Sequence, residues 1–244
     1  MLNCEHFLIF NDRKDVTLTA YVWEDSVELL DGKKRPAVLI CPGGAYKWCG
    51  DREGEPVALA FAAMGYNTFV LRYSLREKAL FPQPMRDIAK AMEFINDRAK
   101  EWFVDVENIA LCGFSAGGHN VAMYSNYYDK DIIVSYINRD DIVLKPKACI
   151  LGYPLTDYVY MNEMVKKSAK DLEYFEESNG YFLGKDWDNE ETLTKVSPAR
   201  LVTKSTPPTF IWTTANDNMV PCQHSSIYAT ALAEKKIPFE LHIF

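Results

Sequence analysis

The sequence predicts a single α/β domain over residues 1–244, built on a mostly parallel sheet with helices on both faces. Three observations carry that expectation. Short apolar runs alternate with longer amphipathic ones, the pattern of strand–helix–strand units. Several of those apolar runs are continuous, as in strands buried on both faces. The 244 residues are 48% hydrophobic and 25% charged, enough for one large core, and no Pro/Gly/Ser-rich linker divides them.

The elements follow in order. Thr17–Trp23 alternates and reads as an early antiparallel strand. Residues 31–36, Asp-Gly-Lys-Lys-Arg-Pro, form a turn. Residues 37–41 are continuously apolar, a buried strand. Residues 55–64 read as a helix stopped by Gly65, and 67–71 as the next buried strand. Residues 84–103 hold a long amphipathic helix, with Met85, Ile88, Ala89, Met92, Ile95 and Ala99 on one stripe. Residues 108–112 form a strand that runs into a helix after residue 117. Residues 147–152 and 209–214 are further strands, 223–235 a helix, and 239–244 the start of a last strand.

Between about 155 and 202 the period breaks. The stretch is acidic and aromatic, with Asp171, Glu173, Tyr174, Phe175, Glu176, Glu177, Tyr181, Phe182 and Trp187. A long insertion before the last strands of an α/β domain reads as a functional loop or lid. The competing reading is a solvated helical excursion without substrate contact.

Composition narrows the function classes. The formal net charge of −7 argues against nucleic acid or an anionic membrane as partner. The first residues lack a basic segment followed by an apolar run, and no apolar run is long enough to span a bilayer. Cys41, Cys112 and Cys149 fall in strand-like runs and read as buried hydrophobes rather than disulfide partners. No cysteine pair has metal-ligand spacing. A cytoplasmic protein is expected, and a homo-oligomer is left open.

The most specific motif is Gly113-Phe114-Ser115-Ala116-Gly117, a G-x-S-x-G between a strand and a helix. That is the setting of a nucleophile elbow. A serine hydroxyl is a weak nucleophile and must project from a sharp turn where a base reaches it. Glycines two residues to either side relieve the crowding that the turn creates. Ser115 is thus the candidate nucleophile, and the Ala116 N–H a candidate oxyanion donor. Residues 42–46, Pro-Gly-Gly-Ala-Tyr, follow a buried strand directly, and Gly44 and Ala45 are the candidates for the second donor.

Chain order places an acid after the elbow, on a loop that follows a strand. Asp217 fits, with Asp157 as its rival; either can instead be a capping or turn aspartate. The base should be a histidine on the loop after the final strand, and so beyond Phe244. His242 lies within that strand, where side-chain direction alternates. His224 opens the helix after the acid loop. These two are the alternatives inside the chain. His119 reads as a packing or supporting residue, and His6 as uninvolved.

With these residues in place a resemblance stands out. Residues 35–46 resemble the oxyanion segment of α/β-hydrolase esterases related to acetyl-xylan esterases and lipases. Residues 52–58 and 71–74 resemble the same small bacterial group. Residues 113–119 match its elbow, and residues 207–217 with Val220 and Pro221 its acid segment. The likeness runs from about residue 21 to 244. It implies the α/β-hydrolase fold with eight strands, Ser115 as nucleophile and Asp217 as acid. It also implies a short loop containing glycine and histidine after Phe244, then a final helix. Position 45 is often glycine in such relatives; alanine keeps the N–H.

The expected activity is hydrolysis of small carboxylic esters, acetyl groups on sugars among them, through an acyl-enzyme on Ser115. The expected partner is a small-molecule ester, with no metal or organic cofactor. The alternatives are a non-catalytic binding protein on the same scaffold and a peptidase of the same superfamily.

Overall fold

In a computed structural model of the chain, residues 1–29, 31–167 and 169–244 are described, without the side chains of residues 169–171 and 186. Among the described residues the strands are β1 (Leu2–Leu8), β2 (Thr17–Trp23), β3 (Arg35–Cys41), β4 (Asn67–Arg72), β5 (Val104–Phe114), β6 (Ala148–Gly152), β7 (Thr209–Thr213) and β8 (Phe239–Ile243). They form one sheet in the order β1-β2-β4-β3-β5-β6-β7-β8. β2 pairs antiparallel with both β1 and β4, and the pairings from β4 across to β8 are parallel.

The continuous apolar runs are explained by this sheet. In β3, Ala37, Leu39 and Cys41 join the core on one face, while Val38 and Ile40 join the core on the other. On the second face α1 (Glu55–Ala63) packs through Ala58. On the first face lie α2 (Gln83–Asp97), α3 (Ala116–Tyr127) and α8 (Gln223–Glu234). The stripe read from the sequence of α2 is buried: Met85, Ile88, Ala89, Met92 and Ile95 are at most 1% exposed. Cys41, Cys112 and Cys149 are buried as well.

Three elements differ from the sequence reading. β1 was not anticipated, because most of its residues are exposed and its sequence has no alternation to read. α4 (Asp131–Ile137) was missed as a seven-residue segment. The long helix ends at Asp97 rather than near residue 103. β5 begins already at Val104, so residues 98–103 must reverse the chain, with Phe103 at φ 51°. The Arg98 guanidinium covers the Phe94 ring at 3.6 Å from its centroid and helps fix that turn.

The stretch from 155 to 202 is folded into α5 (Tyr158–Val165), α6 (Ala169–Leu183) and α7 (Glu190–Lys195). Part of its aromatic character is core: Phe182 is buried and stacks on Tyr46 at 4.5 Å. The side chain of Asp171 lies outside those described. α6 is tied to the loop after β3. Ser178 donates to the Ala45 carbonyl at 2.9 Å, and Lys47 pairs with Glu177 while its ammonium lies 4.3 Å from the Tyr174 ring centroid.

Two histidines are structural pins of this packing. His119 in α3 is fully buried; its Nε2 faces the Val196 carbonyl at 2.8 Å and its Nδ1 the Tyr46 hydroxyl at 2.6 Å. The carbonyl can only accept, so Nε2 carries the proton and Nδ1 accepts from Tyr46. His224 in α8 is also buried, and its Nδ1 accepts from the main-chain N–H groups of Thr156 and Asp157 at 3.3 Å each. Burial lowers both imidazoles from 6.5 to about 4.

Such groups make stability depend on pH. Below about pH 6.5 the unfolded chain binds protons that the folded chain refuses until about pH 4. The stability present at neutral pH is therefore lost progressively between those values, by on the order of 3 kcal/mol per histidine. Urea unfolding at pH 7 and pH 4.5 should show a drop of several kcal/mol. Equal stability at the two pH values would mean that these rings are not buried as neutral groups.

Candidate active site

β5 ends at Phe114 and α3 begins at Ala116, so Ser115 alone makes the turn. Its backbone sits at φ 50° and ψ −119°, a conformation that L-residues avoid. The turn is braced on both sides. The Ser115 N–H donates to the Gly152 carbonyl at 3.0 Å, and its carbonyl accepts from the His119 N–H at 2.9 Å. A Cβ at Gly117 would overlap the Cys41 and Pro42 carbonyl oxygens, and one at Gly113 would overlap the backbone of Gly117. These two glycines let the elbow press against the end of β3.

The loop after β3 is strained in turn. Gly44 has φ 139°, and Ala45 and Tyr46 have φ 53° and 59°. Tyr46 is 1% exposed and bonded to His119, and the Tyr73 hydroxyl donates to the Pro42 carbonyl at 2.7 Å. Among the described residues the N–H groups of Gly44, Ala45 and Ala116 donate to no protein acceptor. The Gly43 N–H, by contrast, is taken by the Glu53 carboxylate at 2.7 Å.

Ser115, Ala116, Gly44, Ala45 and Asp217 line one cleft of about 880 Å³. Asp217 sits on the loop after β7. Its Oδ1 accepts from the N–H groups of Met219 and Val220 at 2.8 and 2.9 Å, which fixes the carboxylate and leaves Oδ2 without a protein donor among the described residues. The end of β8 borders the same loop: the Phe244 carbonyl accepts from the Ala215 N–H at 2.7 Å.

The rival acid has a different place. Asp157 is the N-cap of α5, accepting from the Tyr160 N–H at 3.0 Å, and its other oxygen pairs with Arg200 at 2.9 Å. It is absent from the cleft lining. Among the four histidines only His119 touches the cleft, with both ring nitrogens engaged. His224 accepts through Nδ1 from the backbone of residues 156 and 157, its Nε2 is buried without a partner among the described residues, and it is absent from the cleft lining. His242 lies in β8, half exposed, between Phe210 and Phe244 and beside Glu240. His6 bonds Thr19 across β1 and β2.

The insertion reaches the cleft. Tyr158 of α5 and Tyr174, Phe175 and Ser178 of α6 line it together with Trp48, Tyr153 and Trp212. Glu53 and Tyr153 were missed as site residues. Glu53 stood inside a segment whose only signal was the family likeness. Tyr153 is the first residue past β6 and carries no motif; its hydroxyl donates to Glu53 at 2.6 Å. Burial, then Glu53, raise the Tyr153 phenol, so it is a proton donor at neutral pH.

The BD-FAE family matches residues 29–232. Endo-1,4-beta-xylanase B from Butyrivibrio fibrisolvens is 36% identical over 231 residues, which are 93% of this chain and 33% of that protein. Across the curated relatives it matches, the chain spans a third to a half of their length. Among solved structures, MGS-M1, an alpha/beta hydrolase enzyme from a Medee basin deep-sea metagenome library, superposes with a TM-score of 0.72 at 34% identity, covering 100% of this chain and 81% of that one. The acetyl ester-xyloside bifunctional hydrolase of Caldicellulosiruptor lactoaceticus superposes with a TM-score of 0.80 at 26% identity, covering 98% and 85%. With its elbow, its sheet order and these likenesses together, the chain belongs to the BD-FAE family and has the α/β-hydrolase fold.

Proposed function

We propose that the protein hydrolyses small carboxylic esters through an acyl-enzyme on Ser115. The observation that carries this is the strained serine turn sharing one cleft with Asp217 and with residues whose main-chain N–H groups have no protein acceptor among the described residues. The Ser115 oxygen attacks the ester carbonyl carbon, and its proton passes to a base. The carbonyl oxygen, now negative, accepts from the N–H groups of Ala116 and of Gly44 or Ala45. The C–O bond breaks, and the alkoxide leaves with the proton from the base. Water then attacks the acyl-enzyme by the same route and frees Ser115.

Asp217 orients the base through its free oxygen. The base is proposed to be a histidine: His119 lines the cleft with both ring nitrogens engaged, while His6, His224 and His242 are absent from the cleft lining. Esters of carbohydrates, acetyl esters first, are the proposed substrate class. One solved neighbour is named an acetyl ester-xyloside hydrolase, and the cleft walls are aromatic, suited to stacking on sugar faces. The α5–α6 insertion acts as the lid over that substrate. The placement of the histidines also favours a second reading, a binding protein on a hydrolase scaffold, and a covalent probe separates the two.

In the full-length protein a fluorophosphonate should label Ser115 stoichiometrically, and Ser115→Ala should lower turnover of an activated acetyl ester by roughly 10⁴-fold or more. A protein that refuses the label and turns over no ester is the binding protein. Asp217→Ala should lower kcat by roughly 10³–10⁴-fold. Asp157→Ala should instead leave kcat within a few-fold and cost about 1–2 kcal/mol of stability through its lost helix cap. The opposite pattern in the two aspartates would reverse the acid assignment.

A further inference from the structure

Glu53 presents a carboxylate where a carboxylate is electrostatically adverse. It is 7% exposed, lines the cleft, and stands next to the loop proposed to meet a developing negative charge. Burying such a group is costly unless hydrogen bonds compensate. Both of its oxygens are compensated, one from the loop after β3 and one from the loop after β6. Oε2 accepts from the Gly43 N–H at 2.7 Å, and Oε1 from the Tyr153 hydroxyl at 2.6 Å. The neighbouring cation contributes little: Arg52 approaches Oε1 only to 3.9 Å and is 90% exposed.

The two partners are themselves fixed. The Gly43 carbonyl accepts from the Gly50 N–H at 2.8 Å, and the Gly50 carbonyl accepts from the Glu53 N–H at 3.2 Å, closing a tight loop. There is no slack around Gly43. A Cβ there would lie 2.9 Å from both Glu53 Oε2 and Ser115 Cβ, and 2.7 Å from the Phe114 carbonyl. In the loop after β6 the Tyr153 N–H donates to the Trp212 carbonyl at 2.7 Å, and its ring stands edge-on to Trp212 at 5.0 Å. Tyr153 has φ 37° and directly follows Gly152, whose carbonyl holds the Ser115 N–H.

We propose that Glu53, braced by Tyr153, is a positioning residue: it bridges the loop after β3 to the loop after β6 and so sets the Gly44 and Ala45 N–H groups relative to Ser115. By occupying the Gly43 N–H it also keeps that group from turning into the cleft. The inference rests on the ester-hydrolase reading of Ser115. Its action is geometric and needs no charge. Glutamine at position 53 can accept from Gly43 through Oε1 and donate to the Tyr153 oxygen through Nε2, keeping both links.

The test compares wild type, Glu53→Gln, Glu53→Ala and Tyr153→Phe in the full-length protein. It reads kcat and KM on p-nitrophenyl acetate, fluorophosphonate labelling, and Tm. Glu53→Ala should lose about 10²-fold in kcat with KM within about threefold, the effect of an ångström-scale misplacement felt in the transition state. Tyr153→Phe should lose about tenfold, and Glu53→Gln should stay within about threefold of wild type. If Glu53→Gln falls as far as Glu53→Ala, charge or proton transfer is at work and the positioning role is wrong. Wild-type kcat in a folded Glu53→Ala or in Tyr153→Phe also overturns it, and Tyr153→Phe decides alone if Glu53→Ala does not fold. A wild type that neither labels nor turns over ester defeats the hydrolase reading itself, which is judged on that protein alone.

Discussion

The backbone of Ser115 is held at a positive φ by contacts from three directions, and the geometry of the cleft hangs from it. A non-glycine residue in such a conformation costs on the order of 1–3 kcal/mol and persists only where its surroundings over-determine it. Here β6 holds its N–H, the first turn of α3 holds its carbonyl, and the side-chain-free Gly117 lets α3 abut the carbonyls that end β3. The serine hydroxyl, the first N–H of α3 and the loop after β3 therefore share one rigid frame. Rigidity matters because donors that need no reorganisation stabilise developing charge best.

Other strained residues gather around the same frame. Ala45, Tyr46 and Tyr153 all have positive φ and all line the cleft. Tyr46 is the clearest case of how the strain is contained. Its hydroxyl is bonded to a neutral His119, and its ring is stacked on Phe182 of α6. The elbow helix and the insertion thus grip the loop after β3 from both sides. A histidine two residues past G-x-S-x-G is in this way a structural acceptor, with its proton committed to Val196. The insertion, tied to the Ala45 carbonyl by Ser178, is mechanically coupled to the loop that lines the cleft beside Ser115.

Much of the fold was legible because it rests on short-range signals. Buried parallel strands need continuous apolar runs, as in residues 37–41 and 67–71, and α2 needs a stripe of period 3.6. β1 was not legible, since an exposed edge strand such as Leu-Asn-Cys-Glu-His-Phe-Leu is specified by its pairing with β2 rather than by its own pattern. The end of α2 was misplaced for a related reason: residues 98–103 keep helical periodicity, and only the start of β5 forces the turn. At the candidate site, Ser115, Ala116, Gly44, Ala45 and Asp217 were legible as candidates because motif and chain order single them out, and the fold brings them to one cleft. Glu53 and Tyr153 were not, because what joins them is a hydrogen bond between residues 100 positions apart.

The most direct test of the shared frame is a crystal structure of Ser115 phosphonylated by an organophosphonate in the full-length protein. The phosphoryl oxygen should lie about 2.7–3.1 Å from the Ala116 N–H and from the N–H of Gly44 or Ala45. A phosphoryl oxygen pointing into solvent, or bonded only to side chains, would contradict a preorganised main-chain site.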